Sequence, residues 1–257
     1  MKKTILSLFT IILLSACSHF QDQGDETEKW PAEKLYAEAR GALDSGDYDK
    51  AVEYYEKLES RFPFGTYGQQ AVLDLAYAYH KDDEPDAAIS TAERFIKLYP
   101  QNAHVDYAYY LKGLVNFQRG KGFSERFLPL DESQRDPGSS LQSFQDFSEL
   151  VKRYPDSQYA EDAKLRMTHL RNILAEHEVH VAQYYMRRGA FVAAANRARY
   201  VVEKYARTPS IPDALVIMAK AYKVMDLTEL SEDAVRVLEL NYPNHPGIYE
   251  VREVQLQ

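Results

Sequence analysis

This sequence predicts an all-α fold, a solenoid of five helix–turn–helix repeats with about ten helices in two halves. Three observations carry the prediction. An aromatic residue followed by a helix stop recurs along the chain, as SRFP ending at Pro63, KLYP at Pro100, KRYP at Pro155, EKYA at Ala206 and LNYP at Pro243. Proline stops a helix because it has no N–H to donate and biases the residue before it away from helical geometry. Twelve residues before each stop stands a small residue: Ala51, Ala88, Ser143, Ala194 and Ser231. Twenty-four before it stands Ala39, Ala76, Ala182 or Ala219 in four of the five units. In the third unit that count lands on Asp131, inside an insertion, and stepping back over it reaches Gly113, again small.

Small residues at both places let the two helices of a unit approach closely. The gaps from Pro63 to Pro100 and from Ala206 to Pro243 are both 37 residues. A period near 34 with paired small residues and a terminal proline is the tetratricopeptide pattern. In the stretch Asp47–Gln70, Ala51, Tyr54, Tyr55, Leu58 and Phe62 share one face of a helix. That stripe is buried only when copies of the unit stack.

Taken from the start, residues 1–16 read as a secretion signal. Lys2 and Lys3 precede an apolar run from Ile5 to Leu14 that is too short to span a bilayer. Leu14-Ser15-Ala16-Cys17 looks like a bacterial lipobox, which makes Cys17 the expected acylation point and the anchor to a membrane. Cys17 is the one cysteine of the chain, so no intrachain disulfide forms. Ser18 after it resembles the outer-membrane sorting class. Residues 17–30 are then expected to be a lipidated, flexible, acidic tether ending at Trp30-Pro31.

The N-terminal half is expected over residues 31–155, with repeats 1–3, and the C-terminal half over 156–257, with repeats 4 and 5. The insertion in the third repeat, about 120–139, holds Gly120, Gly122, Pro129, Pro137 and Gly138 among Phe123, Phe127, Leu128 and Leu130. A long loop with apolar residues is a place for function, or folds back to cap its own repeat. Gln158–Arg188 has no helix breaker and reads as one long helix.

The chain carries 31 Lys and Arg against 39 Asp and Glu, and loss of the leader makes it two units more acidic. That balance excludes nucleic acid as a partner. Between Tyr185 and Arg207 the sign reverses: Arg187, Arg188, Arg197, Arg199, Lys204 and Arg207 face the single acid Glu203. This marks a docking face for an acidic partner, the alternative being a solvated helix face.

Catalytic and metal signatures are missing. His177 and His180 in EHEVH stand three apart, where a zinc protease helix needs four. Gly120-Lys121-Gly122 lacks the spacing of a phosphate loop, and no nucleophile elbow is present. No enzyme, cofactor or metal is expected. What the chain has is 20 tyrosines and 11 phenylalanines. Tyrosine offers a broad apolar face with a polar tip, which suits a peptide groove. Alignment to the repeat turns Tyr36, Arg40, Gln70, Leu73, Tyr77, His80, Lys81, Tyr107, Tyr110 and Phe117 toward the concave side. Tyr55 and Tyr79 read as packing between repeats.

RFPFGTYGQQAVLDLAYAYHK, DESQRDP, FQDFSELVKRYPDSQY and YYMRRGAFVAAANR together resemble the BamD family, lipoproteins of the β-barrel assembly (Bam) machine of Gram-negative outer membranes. The resemblance covers nearly the whole mature chain. It implies a non-catalytic scaffold and substrate receptor, lipid-anchored on the periplasmic face of the outer membrane. Its N-terminal half would meet C-terminal signals of unfolded outer-membrane proteins, in a groove to which Phe64 and Tyr67 of the RFPFGTYGQQ motif also belong. Its C-terminal half would dock the POTRA region of BamA through Arg187, Arg188 and Arg197, with other Bam lipoproteins bound elsewhere. The alternative is a repeat lipoprotein of another envelope system, for pilus-secretin piloting or competence-linked, peptidoglycan-associated DNA uptake.

Overall fold

A computed structural model describes residues 25–119 and 131–253. The expected signal, Cys17, the first part of the tether and positions 120–130 of the insertion lie outside them. The described residues form eleven α-helices, one 3-10 turn and no strand. The helices are α1 Ala32–Ser45, α2 Tyr48–Arg61, α3 Thr66–Lys81, α4 Pro85–Leu98 and α5 Val105–Gln118. After the 3-10 turn Glu132–Gln134 come α6 Gly138–Arg153, α7 Ala160–Arg187, α8 Phe191–Lys204, α9 Ile211–Val224, α10 Thr228–Asn241 and α11 Gly247–Glu253.

The helix stops are all built one way. Phe62, Tyr99, Tyr154, Tyr205 and Tyr242 are the C-caps of α2, α4, α6, α8 and α10, each donating its N–H to the carbonyl four residues back. The four caps followed by proline have φ between −130° and −136° and ψ between 55° and 64°, outside the helical basin as a following proline requires. Tyr205, followed by Ala206, relaxes to φ −115° and ψ 41°. There the side chain of Thr208 closes the turn instead, its Oγ donating to the Tyr205 carbonyl at 2.8 Å.

The turns inside the pairs repeat as well. Gly46, Asp83, Gly189 and Asp226 each stand seventeen residues before a stop, and all four have positive φ, from 59° to 84°. The next residue in each case donates its N–H back across the turn, as Asp47 does to Ala42 and Leu227 to Tyr222, both at 2.9 Å. That is the six-to-one bond of a left-handed helix cap.

The paired small residues lie where the helices touch. Ala39, Ala51, Ala76, Ala88, Ala182, Ala194 and Ala219 are fully buried. Ser143 and Ser231 are buried too, and each hydroxyl donates to the carbonyl of the small residue on the partner helix, Gly113 at 2.8 Å and Ala219 at 2.9 Å. The fold is the tetratricopeptide one, and the insertion leaves this contact in register.

The chain separates into two compact units, one ending at Ala71 and the other starting at Val72. In the first, α1 packs on α2 around Leu35, Leu43, Tyr55 and Leu58. Residues 25–30 at the end of the expected tether are fastened to it. Lys57 pairs with Asp25 at 3.0 Å, Arg61 bonds both Asp25 and the Thr27 carbonyl, and Trp30 sets its edge on Tyr54 with ring centres 5.7 Å apart. Hydrogen bonds from Thr27 and Lys57 hold the Asp25 carboxyl well below the usual carboxylate range.

In the second unit each helix from α4 to α10 packs on its sequence neighbour, and α11 closes on α9 and α10. The line between residues 155 and 156 falls inside this unit, where α6 packs against α7. The first turns of α7 put Ala163 and Leu170 into a core with Phe95, Phe147 and Leu150. Its last turns put Ala175, Val179 and Ala182 into a second core with α8 to α11. One helix of 28 residues thus serves two repeats, which is why the gap from Pro155 to Ala206 exceeds the period.

Candidate functional site

In the second unit the expected groove tyrosines are largely occupied with one another. Tyr110 stacks on Tyr159 with centres 4.8 Å apart and planes at 20°, and Tyr107 lies 5.3 Å from the same ring. The Tyr110 hydroxyl donates to Asp162 at 2.7 Å, and Arg166 donates to that carboxylate at 2.5 Å while lying 4.8 Å over the ring of Phe117. Burial pushes the Tyr107 phenol far above its ordinary range; burial, then the bond to Asp162, pushes Tyr110 up as well. Tyr159, which anchors the cluster, was missed in the sequence because it lies in a turn and about fifty residues from its partners.

Tyr77 is half-buried, its ring centre 6.3 Å from that of His80, whose imidazole burial holds below the ordinary range. Lys81 is exposed one turn further along α3. Leu73 corrects the expectation. It is 2 % exposed and packs in the core with Val72 and Phe95, so it offers no surface to a ligand. Helical spacing alone aligned it with Tyr77.

In the first unit Tyr36 lies between Tyr55 and Tyr67, with ring centres 6.1 and 5.5 Å away. Arg40 pairs with Asp44 at 3.3 Å, Gln70 is half-buried, and Tyr67 is 39 % exposed. Phe64 is 90 % exposed. The motif around it is a tight backbone turn. Gly65 has φ 94°, and a Cβ on Gly68 would stand 2.4 Å from the Phe62 carbonyl oxygen. The turn holds the aromatic ring of Phe64 out into solvent.

The basic residues lie on the end of α7 and on α8. Arg187 and Arg188 are exposed where the partial negative charge of the helix end favours cations. Arg188 lies 5.4 Å over the exposed ring of Tyr184. Arg197 is exposed on α8, and its Nη1 donates to both oxygens of Glu178, at 3.1 and 3.3 Å. Glu178 lies outside the basic stretch of sequence, so the face carries one more acid than the stretch shows. Its other residues leave it basic, and Val192 and Tyr200 add exposed apolar surface on the same helix, 65 % and 41 % exposed.

The described end of the insertion returns onto α7. His177 Nδ1 donates to the Ser133 carbonyl at 2.8 Å, and His180 Nδ1 is 3.1 Å from the Ser133 hydroxyl. Ligand atoms of Asp131, Glu176 and His180 lie within 4.8 Å of one another. No described helix is long and apolar enough to cross a membrane.

Residues 28–238 match the model of the YfiO family, described as outer membrane lipoprotein. The outer membrane protein assembly factor BamD of Neisseria gonorrhoeae is 46% identical over 250 residues, covering 96% of this chain and 93% of that protein. BamD of Vibrio cholerae serotype O1 is 38% identical over 239 residues, 93% of this chain and 98% of its own. Among solved structures, the TPR domain of P58(IPK) aligns at TM-score 0.42 and 16% identity over 86% of this chain and 64% of that one. PilW, a type IV pilus biogenesis factor, aligns at TM-score 0.36 and 13% identity over 89% of this chain and all of that one. Those two likenesses are too loose to carry any inference.

Proposed function

The chain belongs to the YfiO family of outer membrane lipoproteins, and on that premise we propose that it is a scaffold and substrate receptor for outer membrane protein assembly, lipid-anchored on the periplasmic face. It is an assembly factor and not an enzyme. The observation that carries the scaffold reading is the exposed basic face of α7 and α8, with Arg187, Arg188 and Arg197, in a chain that is acidic overall. An acidic partner surface complements it, and the POTRA region of BamA is the partner the family resemblance implies, with other Bam lipoproteins bound elsewhere.

The receptor reading rests on exposed or half-buried aromatic side chains and an exposed cation. Phe64 and Tyr67 present rings in the first unit, and Tyr77 with Lys81 on α3 does so in the second. An aromatic ring with a nearby ammonium suits a peptide that ends in an aromatic residue and a carboxylate. Tyr107 and Tyr110 contribute the outer edges of a packed cluster and bind less than their number suggests. Loss of an aromatic anchor costs about 2 kcal/mol, roughly thirtyfold in affinity. Tyr77→Ala is therefore expected to weaken binding of a labelled C-terminal peptide from an outer-membrane barrel protein by about that factor in fluorescence anisotropy. Parent-like binding by Tyr77→Ala, Phe64→Ala and Lys81→Ala alike would remove the receptor role.

Cys17 is proposed as the lipid attachment point. Cys17→Ala is expected to leave the outer-membrane fraction on cell fractionation in a strain depleted of BamA. Retention there would contradict the anchor.

A further inference from the structure

Glu176 and His180 are one turn apart on α7 and so share a face, and Asp131 reaches that face from the residue just before the 3-10 turn. The three come from stretches more than forty residues apart, yet their ligand atoms converge within 4.8 Å. Among the described residues no basic side chain pairs with Asp131 or Glu176. Among the described residues, two carboxylates are thus gathered beside an imidazole without a paired cation.

Ser133 organises the group from behind. It is 1 % exposed, and its hydroxyl donates to Asp131 Oδ1 at 2.6 Å while standing 3.1 Å from His180 Nδ1. Its one hydrogen is spent on the carboxylate, so the ring nitrogen is the donor in the second contact. That fixes the tautomer of neutral His180 with its proton on Nδ1 and leaves Nε2 with a lone pair. A metal-bound imidazole is held in this way, by a hydrogen bond from the nitrogen that does not ligate.

We infer that Asp131, Glu176 and His180 form a binding site for a divalent late transition ion, with zinc as its ligand. The nitrogen donor selects against calcium and magnesium, which take oxygen sets. Donor atoms on a tetrahedral zinc ion are about 3.4 Å apart, so the set draws together on the ion, with water in the fourth position. The ion would clamp the returning end of the insertion to the helix that leads to Arg187. His177, three residues from His180, donates its Nδ1–H to the Ser133 carbonyl and is not among the residues whose ligand atoms converge here. This site is independent of the assembly role proposed above.

The test is isothermal titration of zinc into the detergent-solubilised full chain, with calcium and magnesium as controls and Glu176→Gln, His180→Ala and His104→Ala as variants. Expected are one equivalent of zinc, no calcium or magnesium binding, affinity at least about tenfold weaker in Glu176→Gln and His180→Ala, and no change in His104→Ala. Zinc should also slow amide hydrogen exchange over residues 131–136 in the parent. Glu176 is exposed and makes no ion pair among the described residues, so Glu176→Gln keeps the fold, which melting without zinc verifies. No zinc binding, or parent-like binding by both site variants, overturns the assignment.

Discussion

The third and fifth repeats make one contact over very different lengths of chain. In the fifth, the Ser231 hydroxyl reaches the Ala219 carbonyl across a turn of ordinary length. In the third, Ser143 makes the same bond to Gly113 across the insertion, thirty residues away. The close approach of two helices thus sets the register, and the connection between them is free to vary. The price appears at the contact itself. A Cβ on Gly113 would stand 2.5 Å from the ring of Phe147, which is fully buried, whereas the fifth repeat accommodates the methyl of Ala219. Buried polar groups also run between the helices of the third pair. Asn116 donates to Asp146 at 2.8 Å, and Lys112 lies 3.5 Å from Asp146 and 3.0 Å from Glu93. Among the described residues, the pair with the long excursion joins its two helices by Asn116–Asp146 and Lys112–Asp146 as well as by the serine bond.

The largest effect that would sharpen this contrast is at the small residue. Gly113→Ala is expected to destabilise by about 1–2 kcal/mol, since overpacking costs about 1–3 kcal/mol and alanine returns about 0.5–1 kcal/mol of helix propensity. Thermal melting should fall by about 3–6 °C. The mirror change Ala219→Gly involves no clash and should cost the propensity, about 0.5–1 kcal/mol, plus the burial of one methyl, about 0.8 kcal/mol. A melt of Gly113→Ala at or above the parent would show that Phe147 yields, and the contrast would fail.

A smaller effect is expected at the serines. Ser143→Ala and Ser231→Ala each remove one buried hydrogen bond and should each cost about 1 kcal/mol in denaturant unfolding. Similar costs would support a contact indifferent to loop length. A Ser143→Ala loss several times larger than the other would show that the insertion leans on this bond.

The sequence was most informative where the fold is periodic. Helix stops and small residues recur at fixed intervals because each repeat solves the same packing problem, so Pro63, Ala51 and Ser143 could be placed by counting. The left-handed turn residues recur just as strictly, yet aspartate at 83 and 226 hides a position that glycine at 46 and 189 marks. The proposed binding surfaces were less legible because their exposure depends on residues far along the chain. Leu73 shares a helical face with Tyr77 but falls on the core side of α3. Tyr110 is half-buried by Tyr159, and Arg197 is paired by Glu178 from the preceding helix. Asp25 looks like part of a flexible acidic tether until Lys57 and Arg61 are brought beside it.

The proposed docking role of α7 and α8 is tested most directly by titrating the purified POTRA region of the cognate BamA against the parent, Arg197→Ala and the double variant Arg187→Ala/Arg188→Ala. Glu178→Gln serves as the control that breaks the ion pair and keeps the arginine. Truncation of an interface arginine costs about 2 kcal/mol or more, so affinity should fall about thirtyfold in Arg197→Ala. An exposed ion pair contributes at most about 1 kcal/mol to stability, so melting should move by no more than about 4 °C. Glu178→Gln should bind within about threefold of the parent. Parent-like affinity in both arginine variants, with unaltered melting, would mean that the basic face is only solvated and that the partner docks elsewhere.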